Sequence, residues 1–290
     1  MILSIVIVAY NSNDVLLDCL DSIKKVNPYS DQLEVIIVDN NPPSGLSTLL
    51  KEQIYDFQLI YMPNDKNVGF GAANNQGCDL ARSKVVLFLN PDTLIVEDIF
   101  TPTIKAIESD IDTVVGYRLI DVKGSPNNSY SYFFEYFYLF PLFHLVERFS
   151  FFYVNDWRVV NRIVWPWGAA FAMNRDKFVE AGKFDENIFL CNEEQDLMKR
   201  VVNRKIKILS HRIVHLEGHG QVVSVRRYKA YFESLHYYFK KYNLSATSFW
   251  CFFRMKIKIK QLIGSDVSQY NLVQAFTTFQ KEVLNNKSKG

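Results

Sequence analysis

Three apolar runs punctuate the first ninety residues: Ile2 to Ala9, Leu33 to Val38 and Val85 to Leu89. Runs of this length with almost no alternation fit strands covered on both faces, as in the middle of a parallel sheet. Between them the period changes. Leu16, Leu20 and Ile23, widened by Leu17, repeat at helical spacing after the turn Tyr10-Asn11-Ser12-Asn13. The pattern predicts a second helix over Leu46 to Tyr55 and a short strand over Phe57 to Met62. A glycine-rich turn, Asn67-Val-Gly-Phe-Gly-Ala-Ala-Asn74-Asn75-Gln-Gly77, then opens a helix that ends near Ser83. Strand and helix alternate, which predicts an α/β fold with a mostly parallel sheet.

Further on, the same reading predicts a helix over Val96 to Glu108 and a strand over Thr113 to Arg118. Trp165 to Met173 reads as an apolar strand and Arg175 to Ala181 as a short helix stopped by Gly182. Glu193 to Asn203 reads as a helix and Ile206 to His215 as a strand. From Tyr228 the chain turns helical, with Tyr228, Phe232, Leu235, Phe239 and Tyr242 on one face and Arg226, Lys240 and Lys241 on the other. Residues 265–290 predict one more helix and a frayed end. The expected division is a main domain over residues 1–222 and a C-terminal helical extension over 223–290.

The chain has 290 residues and 48% hydrophobic content, enough for a large core. A formal net charge of +2 gives no global field, so nucleic acid is not an expected partner. The four cysteines lie far apart, with no pair at metal-ligand spacing, and read as reduced thiols of a cytoplasmic protein. The apolar N-terminus reads as a strand, not a signal peptide. No stretch offers the roughly 18 uninterrupted apolar residues of a membrane span.

Two segments stand apart. Tyr130 to Tyr153 is dense in Phe and Tyr, including Tyr132-Phe-Phe-Glu-Tyr-Phe-Tyr-Leu-Phe-Pro141. It fits helical core filling, an acceptor groove, a homodimer contact or a membrane-surface patch, and Pro141 should break any helix there. Phe249 to Lys260 alternates Arg254, Lys256, Lys258 and Lys260 with Met255, Ile257 and Ile259. It fits an element lying on an anionic membrane surface, or a helix packed on the domain with a solvated face.

Candidate chemistry gathers where strands end. Asn11, Asp39, Asn67 and Asp92 each follow a strand, and one parallel sheet puts such ends on one edge, where open α/β sheets bind ligands. Pro91 cannot donate to a ladder, so the Val85 strand stops at Asn90-Pro91-Asp92. Asp92 can hold a divalent cation together with a diphosphate, or simply start a loop. Asp39 can accept hydrogen bonds from a ribose or base. The glycine turn lets backbone approach a ligand, and the helix N-terminus behind it favours an anion. Glu193, Glu194 and Asp196 crowd the first turn of a predicted helix, where the dipole favours negative charge. A carboxylate beside another acid can also have a raised pKa, which suits a general base.

These motifs resemble family-2 glycosyltransferases, and most nearly the bacterial rhamnosyltransferase-like branch. The resemblance rests on Ser4-Ile-Val-Ile-Val-Ala-Tyr-Asn11, Val38-Asp39-Asn40, Asn67-Val-Gly-Phe70 with Asn74-Asn75-Gln-Gly77, Phe88-Leu-Asn-Pro-Asp92, and Gly182 to Arg200. It implies an A-type glycosyltransferase fold with a single Rossmann-like sheet, and an inverting, metal-dependent enzyme using Mg²⁺ or Mn²⁺. Its donor would be a nucleotide-diphosphate sugar and its acceptor a glycan or lipid-linked sugar, in surface polysaccharide synthesis at the inner face of the plasma membrane. Ala9, Tyr10, Asn11, Asp39, Asn67, Gly69, Asn74, Asn90 and Asp92 would face the donor, and Trp167 and Gly168 the acceptor. Asp92 would hold the metal with His215, which stands where the family commonly has a His before a Gly; the role of His219 is left open. Glu194 occupies the place of the family's catalytic Asp, Glu193 is the second candidate and Asp185 a distant third, and Asp196 and Arg200 brace the site. Two departures stand out: Asn90 replaces the first acid of the metal motif, and Glu194 is one methylene longer than the Asp it replaces. Two other readings compete. A sugar nucleotidyltransferase is disfavoured because the first turn lacks a Gly- and Arg/Lys-rich loop for a triphosphate. A catalytically silent nucleotide-sugar-binding or scaffold protein within a membrane-surface assembly is compatible with both departures.

Overall fold

A computed structural model of the chain describes residues 1–41, 45–133, 164–216, 223–263 and 267–284. Most of the aromatic segment, Pro141 and His219 lie outside the described residues.

The first half alternates as its pattern predicts. Strand β1 (Leu3–Ala9) leads to helix α1 (Asn13–Val26), β2 (Leu33–Asp39), α2 (Leu46–Lys51), β3 (Gln58–Pro63), α3 (Phe70–Leu80) and β4 (Val85–Leu89). Then come β5 (Thr93–Ile95), α4 (Phe100–Ser109), β6 (Thr113–Ile120), β7 (Tyr130–Tyr132), β8 (Val164–Pro166), β9 (Ala170–Asn174), α5 (Arg175–Glu180), α6 (Glu193–Arg200) and β10 (Lys205–His215). Three further helices follow, α7 (Val225–Lys241), α8 (Thr247–Ile263) and α9 (Val267–Phe279).

Eight strands form one mixed, mostly parallel sheet in the order β3-β2-β1-β4-β9-β6-β10-β5. The full burial of β1, β2 and β4 follows from period 2. In β1, Leu3, Ile5 and Ile7 pack on one side with α1 and α4, while Val6 and Val8 pack on the other with α3 and α6. Val85, Leu87 and Leu89 of β4 divide from Val86 and Phe88 in the same way. Phe88 anchors the second layer, with its ring centroid 5.0 Å from Phe171, 4.9 Å from Phe178 and 5.3 Å from Phe184.

Several boundaries differ from the sequence reading. The run Trp165 to Met173 is two strands, β8 and β9, separated by a turn at Trp167–Ala169. β9 runs antiparallel to both β4 and β6. An apolar run fits a buried strand of either direction, so periodicity cannot set its polarity. The expected helix from Val96 begins only at Phe100, because Thr93–Ile95 is taken as an edge strand beside β10. Asp98 caps its start, accepting from the backbone N–H groups of Phe100 and Thr101 at 2.9 and 3.0 Å. The helix expected to reach Tyr55 stops at Lys51, and the one expected to reach Asn203 stops at Arg200.

The basic segment Phe249 to Lys260 lies within helix α8. Trp250 and Ile257 are buried against Phe232, Phe276 and Phe279 of α7 and α9, while Arg254, Met255 and Lys258 are exposed. No helix among the described residues is long and apolar enough to cross a membrane.

The sheet gathers the site. β1, β2, β3 and β4 are parallel, so Tyr10, Asn40, Asn64 and Asn90 follow on one edge. Because β9 is antiparallel to β4, its start lies on that edge too and brings Gly168 there. β6 and β10 end on it, delivering His215.

Candidate active site

Asp39 closes β2. It is 1% exposed, its Oδ2 accepts from the Tyr61 hydroxyl at 2.8 Å and its Oδ1 from the Asn41 amide at 3.1 Å. Tyr61, one strand away on β3, therefore fixes the carboxylate. Asn40 is the hub of the next layer. Its amide donates to Asn67 Oδ1 (3.0 Å) and to the Gly69 carbonyl (3.2 Å), and its Oδ1 accepts from Val68 N–H and Asn64 Nδ2. Asn67 also accepts from Gly69 N–H at 2.9 Å. Buried Asn40 and half-buried Asn67 thus hold the glycine turn in shape. The sequence reading named Asn67 but passed over Asn40, Asn64 and Tyr61, whose only signal was the run Asp39-Asn40-Asn41. Nearby, Tyr10 is exposed, and Asn11 takes a left-handed backbone (φ 52°) where Asn41 donates to its side chain.

Gly69 has φ +96°, and a Cβ there would lie 2.8 Å from the Phe189 carbonyl oxygen. That carbonyl accepts from Phe70 N–H at 3.0 Å. The start of α3 is thereby docked on the segment that leads to the acids. Asn75 ties the same two pieces, donating to the Phe184 carbonyl and accepting from Phe184 N–H, each at 3.0 Å. Asn74 is buried and donates within its own helix to the Phe70 carbonyl at 3.0 Å.

At the end of β4, Asn90 N–H donates to the Ala169 carbonyl at 2.8 Å, and the Asn90 carbonyl accepts from the Thr93 hydroxyl at 2.7 Å. Asn90 Oδ1 is buried and makes no hydrogen bond among the described residues. The Asp92 carbonyl accepts from Leu216 N–H, so the Asp92 loop is paired with the end of β10. That pairing brings His215 Nε2 to 3.5 Å from Asp92 Oδ1. His215 Nδ1 is buried without a hydrogen-bond partner among the described residues. An oxygen and an imidazole nitrogen this close suit two ligands of one divalent ion, with phosphate oxygens and water completing the shell. Among the described residues no group of three His, Cys, Asp or Glu side chains is placed to hold a metal by itself.

Glu193 and Glu194 open α6 and are 1% and 8% exposed. Cys191 and Asn192 before them both have left-handed backbones, φ 68° and 71°. Glu194 lies against Gly168: a Cβ on that glycine would stand 1.6 Å from Glu194 Oε1. Only a glycine leaves room for the carboxylate, and Gly168 is one residue from the Ala169 carbonyl that receives Asn90. On its other side, Glu193 packs against Gly71 of α3. Among the described residues neither glutamate has an ion-pair partner. Burial pushes Glu194 up to about 7, partly offset by backbone N–H groups. Burial, with Glu194 beside it, raises Glu193 well above the ordinary carboxylate range. Both shifts have one cause, burial of two neighbouring carboxyl groups, which disfavours the charged forms. Trp167, half-buried, stacks on Trp165 with centroids 5.7 Å apart.

Asp196 and Asp185 have the opposite environment. Asp196 is wholly buried. It accepts from Arg200 Nε and Nη2 at 2.9 and 2.7 Å, from Lys241 Nζ at 2.6 Å and from the Tyr242 hydroxyl at 2.8 Å. Arg200 also donates to the carbonyls of Ala181 and Lys183. Asp185 accepts from Lys241 at 2.7 Å and from the Tyr237 hydroxyl at 2.9 Å. Burial alone would raise the Asp185 pKa, but Lys241, Asn187 and Tyr237 outweigh it and hold it well below the carboxylate range. Lys241 is therefore turned onto the acid segment, not out to solvent as its helical position had implied.

Two solved structures similar in shape share the fold. TarS of S. aureus, solved with UDP-GlcNAc, superposes with a TM-score of 0.55 at 17% identity, over 79% of this chain and 64% of that one. The mannosyltransferase PcManGT of Pyrobaculum calidifontis, solved with GDP-Man and Mn²⁺, superposes with a TM-score of 0.59 at 15% identity, over 99% of this chain and 75% of that one. The sheet, its flanking helices and these likenesses define an A-type glycosyltransferase fold. The chain belongs to glycosyl transferase family 2, whose model matches residues 4–179. It is 32% identical over 112 residues to the uncharacterized glycosyltransferase YfnE of Bacillus subtilis, a match covering 39% of this chain and 28% of YfnE. It is 29% identical over 97 residues to the poly(ribitol-phosphate) beta-glucosyltransferase of Bacillus spizizenii, covering 33% of this chain and 15% of that protein. The chain thus spans under a third of the length of these curated relatives.

Proposed function

We propose that the protein is an inverting glycosyltransferase that moves a sugar from a nucleotide-diphosphate sugar to a hydroxyl of a glycan or lipid-linked acceptor. The observation that carries this reading is the placement of Glu194. A buried carboxylate without an ion-pair partner among the described residues lies against Gly168, on the sheet edge that also holds the Asp92–His215 pair.

In this reading Tyr10, Asn11 and Asp39 receive the nucleoside, and the Asn40-braced turn at Asn67–Gly69 lies against the diphosphate. Asp92 and His215 would hold a Mg²⁺ or Mn²⁺ ion, which when bound would supply positive charge beside the departing nucleotide. Glu194 Oε1 or Oε2 takes the proton of the acceptor hydroxyl as its oxygen bonds to the anomeric carbon and the bond to the nucleotide breaks. Glu193, its proton retained, keeps the pair from carrying two charges. Trp167 offers an aromatic face beside Gly168 for the acceptor. The nucleotide sugars and Mn²⁺ named for the similar structures support the donor class and the metal. The finer reading adds the hexosyl- or rhamnosyltransferase type, a role in surface polysaccharide synthesis and a cytoplasmic place at the membrane face. It also divides the chain at about residue 222, and leaves a homodimer to be tested by mass.

A thermal-shift screen of nucleoside diphosphates and nucleotide sugars, with Mn²⁺ or with EDTA, tests it. A ligand that binds the native state raises Tm by mass action, about 2.7 kcal/mol at a hundred times Kd. One nucleotide is expected to raise Tm only with metal. If none does, with or without metal, the transferase reading fails and the silent scaffold gains. Asp92→Ala is expected to weaken metal-dependent nucleotide binding by more than the roughly 10–100-fold that outer-shell partners are worth. An unchanged Mn²⁺ titration would remove Asp92 from the metal site. Gly168→Ala is expected to leave Tm nearly unchanged, because the end of a flexible side chain can move aside. That same displacement should lower kcat about 100-fold, since a shift of about 1 Å can cost that much. Wild-type kcat in this variant would mean that Glu194 works from another position.

A further inference from the structure

Five acids lie in the twelve residues from Asp185 to Asp196; Glu186 is exposed, and the fold sorts the other four into two kinds. Asp185 and Asp196 are paired with cations, while among the described residues Glu193 and Glu194 are not. The cation common to both aspartates is Lys241, at the end of α7. Its Nζ stands 2.7 Å from Asp185 Oδ2 and 2.6 Å from Asp196 Oδ1. One ammonium thereby joins the two ends of an excursion that contains both glutamates.

The excursion needs such a tie. It is not regular structure until Glu193, and it passes through two consecutive left-handed residues, Cys191 and Asn192, neither of them glycine. Backbone of this kind persists only where its surroundings over-determine it. α7 supplies much of that determination. Besides Lys241, the Ser234 hydroxyl donates to the Leu190 carbonyl at 2.8 Å, and the Tyr237 hydroxyl to Asp185 at 2.9 Å. The opposite side is held by Phe70 N–H on the Phe189 carbonyl. α7 lies beyond residues 4–179, so the family match gives this helix no role.

We infer that Lys241 is a positioning residue for the Glu193–Glu194 pair: by bridging Asp185 and Asp196 it closes the 185–196 excursion and sets Glu194 against Gly168. This rests on the transferase reading for its catalytic consequence, but not for its structural one. A bridge that closes a loop at both ends acts on the geometry of the loop; the ends of β1, β2 and β4 do not depend on it, and the loop's hold on the glycine turn is the separate bond from Phe70 N–H to the Phe189 carbonyl. Removal of the bridge should therefore separate kcat from nucleotide affinity.

The test compares the parent chain with Lys241→Met, Lys241→Arg and Asp185→Asn. Hydrogen–deuterium exchange is read over peptides spanning 186–195, alongside kcat and the Kd for the nucleoside diphosphate with Mn²⁺. Lys241→Met is expected to speed exchange at least tenfold within 186–195 while the β1, β2 and β4 peptides stay protected. The expected fall in kcat is about 30–100-fold, with Kd changed by less than twofold. Lys241→Arg, which can still reach both carboxylates, should recover most of the exchange protection and of kcat. Asp185→Asn leaves Lys241 paired with Asp196 and should show the same local exchange pattern, and it serves if Lys241→Met does not fold. Exchange in 186–195 that matches the parent, or that rises equally across the sheet, overturns the inference. So does a loss of kcat that Lys241→Arg fails to relieve. If the parent chain transfers no sugar, the exchange arm alone decides the positioning role, and the failure belongs to the transferase reading.

Discussion

Glu194→Gln is expected to lose about 10²–10⁴-fold in transfer rate, the usual contribution of a positioned general base, and at pH 8 to melt higher than the parent chain. The two effects share a cause. Burial raises the Glu194 pKa from 4.5 to about 7. A carboxyl group whose pKa is higher folded than unfolded favours the folded state most below the unfolded value. That contribution is lost as pH rises through the folded value. Between about pH 4.5 and 7 the parent chain therefore loses stability on the order of 3 kcal/mol from this group. Glutamine mimics the protonated acid and should be spared the loss. Melting curves at pH 5 and pH 8 check it: the variant and parent should agree at pH 5 and separate by several degrees at pH 8. The parent's kcat should rise with pH through about 7 as Glu194 gives up its proton. A variant that turns over normally would end the assignment of Glu194 as base. One that is inactive and less stable at pH 8 would mean the acid is held charged in the fold.

Asp196→Ala should be the most destabilising single change in the site. Asp196 is wholly buried and is shared by Arg200, Lys241 and Tyr242. Removing one member of a buried pair leaves uncompensated charge and typically costs about 3–5 kcal/mol. Here two cations lose a common partner. Urea unfolding should show the midpoint falling with little change in slope. A cost below about 1 kcal/mol would mean that Arg200 and Lys241 relax into solvent, and that the network does not hold α6. Asp196→Ala and Glu194→Gln thus move stability in opposite directions at pH 8, although the residues are two apart on one helix. Sequence position does not distinguish them; the presence or absence of a cation does.

The strands were readable because burial on both faces writes an almost unbroken apolar run, as in Val85 to Leu89. The helix of Leu16, Leu20 and Ile23 was readable because one buried stripe writes a 3.6-residue period. Pro91 marked where β4 stops. These are local consequences of backbone geometry, and the family-2 resemblance rested on them and on the polar residues that follow each strand. The reading went astray where the same local signal serves two structures. Trp165 to Met173 looked like one strand because the turn at Trp167–Ala169 has no proline and only one glycine. Thr93–Ile95 became an edge strand because β10 lies beside it, a non-local fact.

The sequence by itself determined an α/β sheet, the polar groups at its strand ends and the cluster of acids from Asp185 to Asp196. All of these follow from short-range periodicity and from residue type. Only the tertiary structure decided that β9 runs antiparallel, and that Gly168 is the floor beneath Glu194. It also decided that Asn40 and not only Asn67 shapes the glycine turn, and that Lys241 reaches back to two aspartates more than forty residues earlier. The physical reason is the same in each case. A pKa, an ion pair or a close approach depends on what else is brought within a few ångströms, and periodicity along the chain carries no record of that.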